Sequence, residues 1–175
     1  MTIVIDLQHY GHGSLPEGFK QMLIGVHADA YADAMDDEFH QRFPWFVDHW
    51  SETNGFTCVV AFDGDEPTGF AYGAPQQPGR EWWRSTTFEP DDDHTTTYAV
   101  SEVMVRPQWR KQGISDRLHE ALLRSRNEDF AVLLVDVTHP RVQELYESWG
   151  YDKAGEQQPF ADSPVYAVMV KRLHP

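Results

Sequence analysis

Arg110-Lys111-Gln112-Gly113-Ile114-Ser115 places two cations, a glycine and a hydroxyl directly ahead of a helical pattern. Backbone N–H groups at a helix N-terminus lack intrahelical partners, and the macrodipole makes that end mildly positive. A diphosphate can dock there if small residues let the backbone come close. Gly113 provides that access, and Ser115 is small and adds a hydroxyl donor. The charge distribution points the same way. Residues 1–105 hold four Lys/Arg against 18 Asp/Glu, whereas residues 106–126 hold six against two. Positive charge gathered into so short a stretch of an acidic chain predicts a local anion site; a solvated helix face carrying arginines is the alternative, and charge alone leaves both standing. The segment is not a Walker A loop, whose Gly precedes Lys and Ser/Thr after four intervening residues. Nor is it a dinucleotide fingerprint, because the three glycines are absent.

The rest of the composition narrows the class. At 175 residues, 41% hydrophobic and 13% aromatic, the chain can bury a single substantial core. No apolar run approaches the ~20 residues of a membrane helix, and the first residues lack the basic flank of a secretory signal. Cys58 is the only cysteine. These features favour a cytoplasmic protein. A net charge of −14 argues against nucleic-acid partners, since phosphate backbones would be repelled over most of the surface. The nine histidines show no metal-ligand spacing, so no metal is expected. His9, His12, His40 and His49 read as surface or satisfied polar residues, and Cys58 as inert core.

Periodicity supplies the elements that must position the turn. Thr2 to Leu7 alternates as a strand. Residues 15–33 read as a helix with Phe19, Leu23, Val26 and Ala30 on one stripe, and residues 37–52 as a second helix kinked or split by Pro44. Residues 57–62 and 68–74 form a hairpin across Asp63-Gly64-Asp65-Glu66-Pro67. A long loop, 75–96, carries Trp82, Trp83 and Phe88, and loops of that length are usually functional or mobile. Residues 97–105 are a strand. Residues 113–126 are a helix with Ile114, Leu118, Ala121, Leu122 and Ser125 inward. A buried strand at 130–138 follows, then a helix at 140–149 with Val142, Leu145, Tyr146 and Trp149 on its apolar stripe. Gly150 stops that helix, and residues 152–175 hold the C-terminal strands, 165–173 being the last. This order implies a mixed sheet covered by helices.

At this point the sequence resembles the GNAT superfamily of N-acetyltransferases. That family's signature, Arg/Gln-x-x-Gly-x-Gly/Ala after a strand ending Val-x-Pro, is matched by Val105-Arg106-Pro107 and by residues 110–115. Leu145-Tyr146-Glu147-Ser148-Trp149-Gly150-Tyr151 resembles the family's Leu-Tyr-x-x-x-Gly-Phe. The close resemblance covers residues 98–151. It implies an α/β fold: a central mixed, mostly antiparallel sheet of about six to seven strands flanked by about four helices. It also implies one domain over 1–175, with an acceptor-side half at 1–96 and an acetyl-CoA-binding core at 97–151. Two positions depart from the pattern: Ser115 stands where Gly or Ala is usual, and His139 where Asn is frequent on the pantetheine arm.

The resemblance implies an acetyl-CoA-dependent N-acetyltransferase acting by direct attack in a ternary complex. Arg110, Lys111, Gln112, Gly113, Ile114 and Ser115 would cradle the pyrophosphate. Backbone N–H groups near Met104 would bind the acetyl carbonyl beside a bulge, with Val103 and Val105 facing the pantetheine arm or the core. Amide formation needs a proton acceptor for the amine, and Glu102, a lone carboxylate in a mostly apolar strand, is the candidate. Its alternative is to pair with a neighbouring arginine or face solvent. Tyr146 maps onto the tyrosine that protonates the coenzyme A thiolate, a transfer that a phenol of pKa about 10 can make to a thiolate of about 8.5. Its alternative is a core aromatic.

Carboxylates at Asp29, Asp33, Asp36, Asp37, Glu38 and Asp91 to Asp93 are interleaved with Tyr31, Phe39, Phe43, Trp45, Phe46, Trp82, Trp83 and Phe88. They would suit a cationic amine, or else be solvated acidic faces over an aromatic core. A small-molecule amine is the expected acceptor. A protein lysine or N-terminus and a non-catalytic acyl-CoA sensor are the alternatives. Neither a membrane nor a nucleic acid is expected as partner, and a homodimer is left open.

Overall fold

Alternation and turn chemistry become seven strands and five helices in the computed structural model, which describes residues 3–90 and 95–174. The expected strand start at Thr2 and the acidic run Asp91 to Asp93 lie outside those residues. The strands are β1 (Ile5–Gly11), β2 (Thr57–Asp63), β3 (Glu66–Pro75), β4 (Thr97–Val105), β5 (Phe130–Asp136), β6 (Asp152–Gln157) and β7 (Tyr166–Arg172). The helices are α1 (Phe19–Ala30), α2 (Glu38–Gln41), α3 (Phe43–Ser51), α4 (Ile114–Arg124) and α5 (Pro140–Ser148). Strand order is β1-β2-β3-β4-β5-β7-β6. β4 and β5 run parallel, while β1–β2, β2–β3, β5–β7 and β6–β7 are antiparallel. No described helix is long and apolar enough to cross a membrane.

The chain divides into two compact units, Met1–Ala74 with Glu102–Arg126, and Pro75–Ser101 with Asn127–Pro175. In the first, the stripe Phe19, Leu23 and Val26 of α1 is buried as its spacing requires, in one core with Phe43 and Val47 of α3 and Phe70 of β3. α1 starts four residues later than expected, because Gly18 adopts a left-handed φ of 81° before it. The second expected helix is split into α2 and α3 around Arg42, with Pro44 in the first turn of α3. Gly69 of β3 is dictated by packing: a Cβ there would lie 2.6 Å from the Met104 carbonyl oxygen of β4.

In the second unit, β5 is buried along nearly its whole length, as its apolar run predicts. Residues 82–88 of the long loop are packed. Trp83 lies in a short 3-10 turn, is buried, and donates from Nε1 to Thr97 Oγ1 at 2.9 Å. Phe88 meets Phe130 edge-on at 5.3 Å. Trp83 thus packs into its own unit, with the half-buried Phe88 ring against it at 5.5 Å. Glu81, also buried, takes a two-pronged hydrogen bond from Arg84 at 2.6 and 3.1 Å.

Candidate active site

The turn after β4 is shaped by its backbone. Pro107–Trp109 form a 3-10 turn, Arg110 is extended, and then Lys111 (φ 62°) and Gly113 (φ 76°) both enter the left-handed region. For Gly113 this conformation is free, whereas for Lys111 it costs roughly 1–2 kcal/mol. Gly113 is the N-cap of α4 and brings no side chain to satisfy the first N–H groups of the helix. A Cβ built on Gly113 meets no atom within 4 Å, so the backbone faces open space where an oxyanion can approach. Lys111, Gln112 and Gly113 are exposed, Ser115 is half-buried, and Ile114 is anchored in the core. An open helix N-terminus of this kind is the arrangement that receives phosphate groups.

Most of the charge that suggested it is employed elsewhere. Arg110 donates from Nε to Val105 O at 3.0 Å and from Nη2 to Ala30 O at 3.1 Å. Arg106 donates to Pro67 O and lies 3.4 Å from Asp29. Arg117 donates to Ile5 O, and Arg124 pairs with Glu120. Arg110 thus clamps two carbonyls. Lys111 makes no ion pair or hydrogen bond among the described residues, so it is the cation of the stretch left for a ligand.

β4 brings the candidate base. Its ladder with β5 pairs Thr97 through Val100 with Phe130 through Leu133 and stops there, although β4 continues to Val105. Met104 and Val105 are buried, and Val103 is half-buried. Glu102 is half-buried too, recessed among enough protein that desolvation pushes its carboxyl up to about 8. It makes no ion pair or hydrogen bond among the described residues, so the arginine-paired alternative does not hold. A recessed but reachable carboxyl of raised pKa is a strong base once ionised.

The other unit carries Tyr146 and His139. Tyr146, on α5, is half-buried and meets Trp149 at 5.2 Å and Tyr151 at 6.2 Å between ring centroids. Tyr151 is the core aromatic here, and burial pushes its phenol well up. No residue of α5 is buried, and Val142 and Leu145 are exposed. The apolar stripe of this helix is thus left unburied. His139 is the exposed N-cap of α5, with Nε2 3.7 Å from Asp136.

The chain as a whole is similar to known proteins. The model of the acetyltransferase (GNAT) family matches residues 20–151. The chain belongs to that family. Among solved structures, a GNAT-family protein of Desulfovibrio desulfuricans aligns at TM-score 0.70 and 13% identity, over 98% of this chain and 100% of that one. Ard1 of Thermoplasma volcanium aligns at 0.66 and 14% identity, covering 98% and 99%. The PaiA N-acetyltransferase of Thermoplasma acidophilum, solved with coenzyme A, aligns at 0.64 and 11%, covering 97% and 99%. At such identities the likeness is one of fold. No curated protein matches the sequence. As a member of the GNAT family the protein is an acyltransferase.

In the first unit of this GNAT domain the sequence did not single out His27. It is buried in α1 and stacks on Phe43 at 4.0 Å and 1°. Desolvation, helped by His40, pushes its pKa down to about 4, so it is neutral at pH 7. Its position four residues after Leu23 was the available signal. Asp29 is committed to Arg106, and Asp37 caps α2 by accepting from Phe39 N at 2.9 Å. Asp33, Asp36 and Glu38 remain exposed beside half-buried Tyr31, Phe39 and His40. Among the described residues no cluster of His, Cys, Asp and Glu could hold a metal ion.

Proposed function

We propose that the protein is an N-acetyltransferase that moves an acetyl group from acetyl-CoA to the amine of a cationic small molecule. The observation that carries this reading is the Lys111–Gly113 left-handed turn, opening at the N-terminus of α4 directly after the strand that bears Glu102. Bound acetyl-CoA supplies a thioester whose carbonyl carbon accepts the amine nitrogen as the C–S bond breaks. Residues 111–115 hold the diphosphate through backbone N–H groups, with Lys111 adding charge. Backbone N–H groups near Met104 polarise the acetyl carbonyl. Glu102, when ionised, takes the amine proton, and Tyr146 gives its phenolic proton to the departing thiolate. His139 and Val103 line the pantetheine arm in this reading. With a pKa of about 8, Glu102 is ionised in only about a tenth of molecules at pH 7.

Exposed Asp33, Asp36 and Glu38 beside aromatic rings support a cationic acceptor. The Phe39 ring already takes a cation on its face, the Arg42 guanidinium, at 5.4 Å. A cytoplasmic enzyme with neither nucleic-acid nor membrane partners is part of the same reading, supported by its composition and net charge of −14.

The test is coenzyme A release from acetyl-CoA across a panel of amines and lysine peptides, with Tyr146→Phe alongside. Turnover on small cationic amines, slowed about tenfold or more in the variant, is the expected outcome. Turnover on peptides alone would reassign the acceptor. Cofactor binding without any turnover would make the domain a sensor.

A further inference from the structure

Two arginines of the turn after β4 spend their guanidinium groups on the end of α1. Ala30, the last residue of α1, has a carbonyl without an intrahelical partner, and the dipole makes that end negative. Arg110 Nη2 donates to that carbonyl at 3.1 Å while its Nε holds Val105 O at 3.0 Å. Arg106 reaches Asp29, one residue earlier, and also fixes β3 through Pro67 O at 2.8 Å. The two clamps differ in burial: the Arg106–Asp29 pair is largely covered, whereas the Arg110–Ala30 bond is exposed. Arg106 therefore makes the more enclosed contact, and Arg110 the more exposed one.

What Arg110 joins matters more than its bond energy. The residue after it is Lys111, whose left-handed backbone begins the anion cradle. The residue after Ala30 is Tyr31, whose ring stacks on His40 at 4.5 Å and opens the segment of exposed carboxylates and aromatic rings. One side chain thus links the cradle to the acceptor segment. We infer that Arg110 is a positioning residue for the acceptor: filling the cradle fixes the 110–113 backbone, and Arg110 passes that order to residues 27–42 through the α1 terminus. The inference rests on the acyl-CoA reading of the cradle. It makes coenzyme A and acceptor binding reciprocal, as any coupling between sites must be.

Amide hydrogen exchange of the whole protein, with coenzyme A as probe, tests it in the wild type, Arg110→Met and Arg110→Lys. In the wild type, coenzyme A slows exchange several-fold across residues 27–42. Arg110→Met, compared at saturating coenzyme A, loses that protection. For the best amine of the panel its KM rises about tenfold, with kcat within about twofold, as loss of an acceptor-organising hydrogen bond requires. Arg110→Lys recovers part of both effects, because an ammonium can reach one of the two carbonyls. Protection and acceptor KM unchanged in Arg110→Met would overturn the inference. So would a wild type that binds coenzyme A without slowing exchange at 27–42, and in both cases the acyl-CoA reading survives. Failure of the wild type to bind coenzyme A overturns both.

Discussion

The β4–turn–α4 segment and helix α5 both carry a recognisable motif, and they relate to their sequences in opposite ways. In the first, β4 spans Thr97–Val105 as alternation requires, and α4 buries Ile114, Leu118, Ala121 and Leu122 on the expected stripe. Its departures are small: the helix ends at Arg124, and Ser125 is an exposed C-cap rather than an inward residue. In the second, Val142, Leu145, Tyr146 and Trp149 have the same helical spacing, yet α5 buries none of them. Spacing specifies that a helix has an apolar side. It does not specify that the unit offers a surface to cover it. A stripe is therefore evidence of core only where a facing sheet is independently placed, as β2 is for α4.

The largest effect should come from Gly113→Trp. The added side chain fills the open face of the cradle and forces a bulky residue to φ 76°, so the thermal shift produced by acetyl-CoA in the wild type should vanish. A retained shift would mean that the backbone of the first region is not the anion site.

Next comes Glu102→Gln, expected to lower kcat about 10²-fold at pH 8 and to erase the rise in rate through the wild type's pKa of about 8. The stability effect has a defined sign. The folded carboxyl titrates near 8 and the unfolded one near its ordinary 4.5, so the folded state holds the extra proton between them. Wild-type stability relative to the variant should be full below pH 4.5 and fall steadily as pH rises through 8. A difference in Tm that does not change over that window would remove Glu102 from its recess.

The smallest effect sharpens the comparison itself. Leu145→Ser on α5 should cost within about 0.5 kcal/mol, as an exposed substitution does. Leu118→Ala on α4 should cost about 2–5 kcal/mol. Urea unfolding of both measures the contrast, and equal costs would erase it.

Some features of the molecule were readable one residue at a time. The hairpin follows from its turn chemistry, the break before α3 from Pro44, the end of α5 from Gly150 (φ 98°), and the cradle from Gly113. Each is a local backbone preference, which sequence encodes directly. β6 was less distinct, because an edge strand of mostly polar residues is held by backbone pairing to β7 rather than by an apolar pattern.

The candidate site divides the same way. Its backbone parts and the position of Glu102 on β4 were legible in residues 97–115. The employment of the charges was not, since a guanidinium chooses its partner from whatever carbonyls the fold brings near. Local sequence determined the shape of the candidate cradle through the left-handed turn and the helix start. Only the tertiary structure decided that Arg110 clamps α1, that His27 is buried and neutral, and that Glu102 is desolvated to a pKa of about 8. Hydration and charge pairing are set by neighbours far along the chain, and no window of sequence contains them.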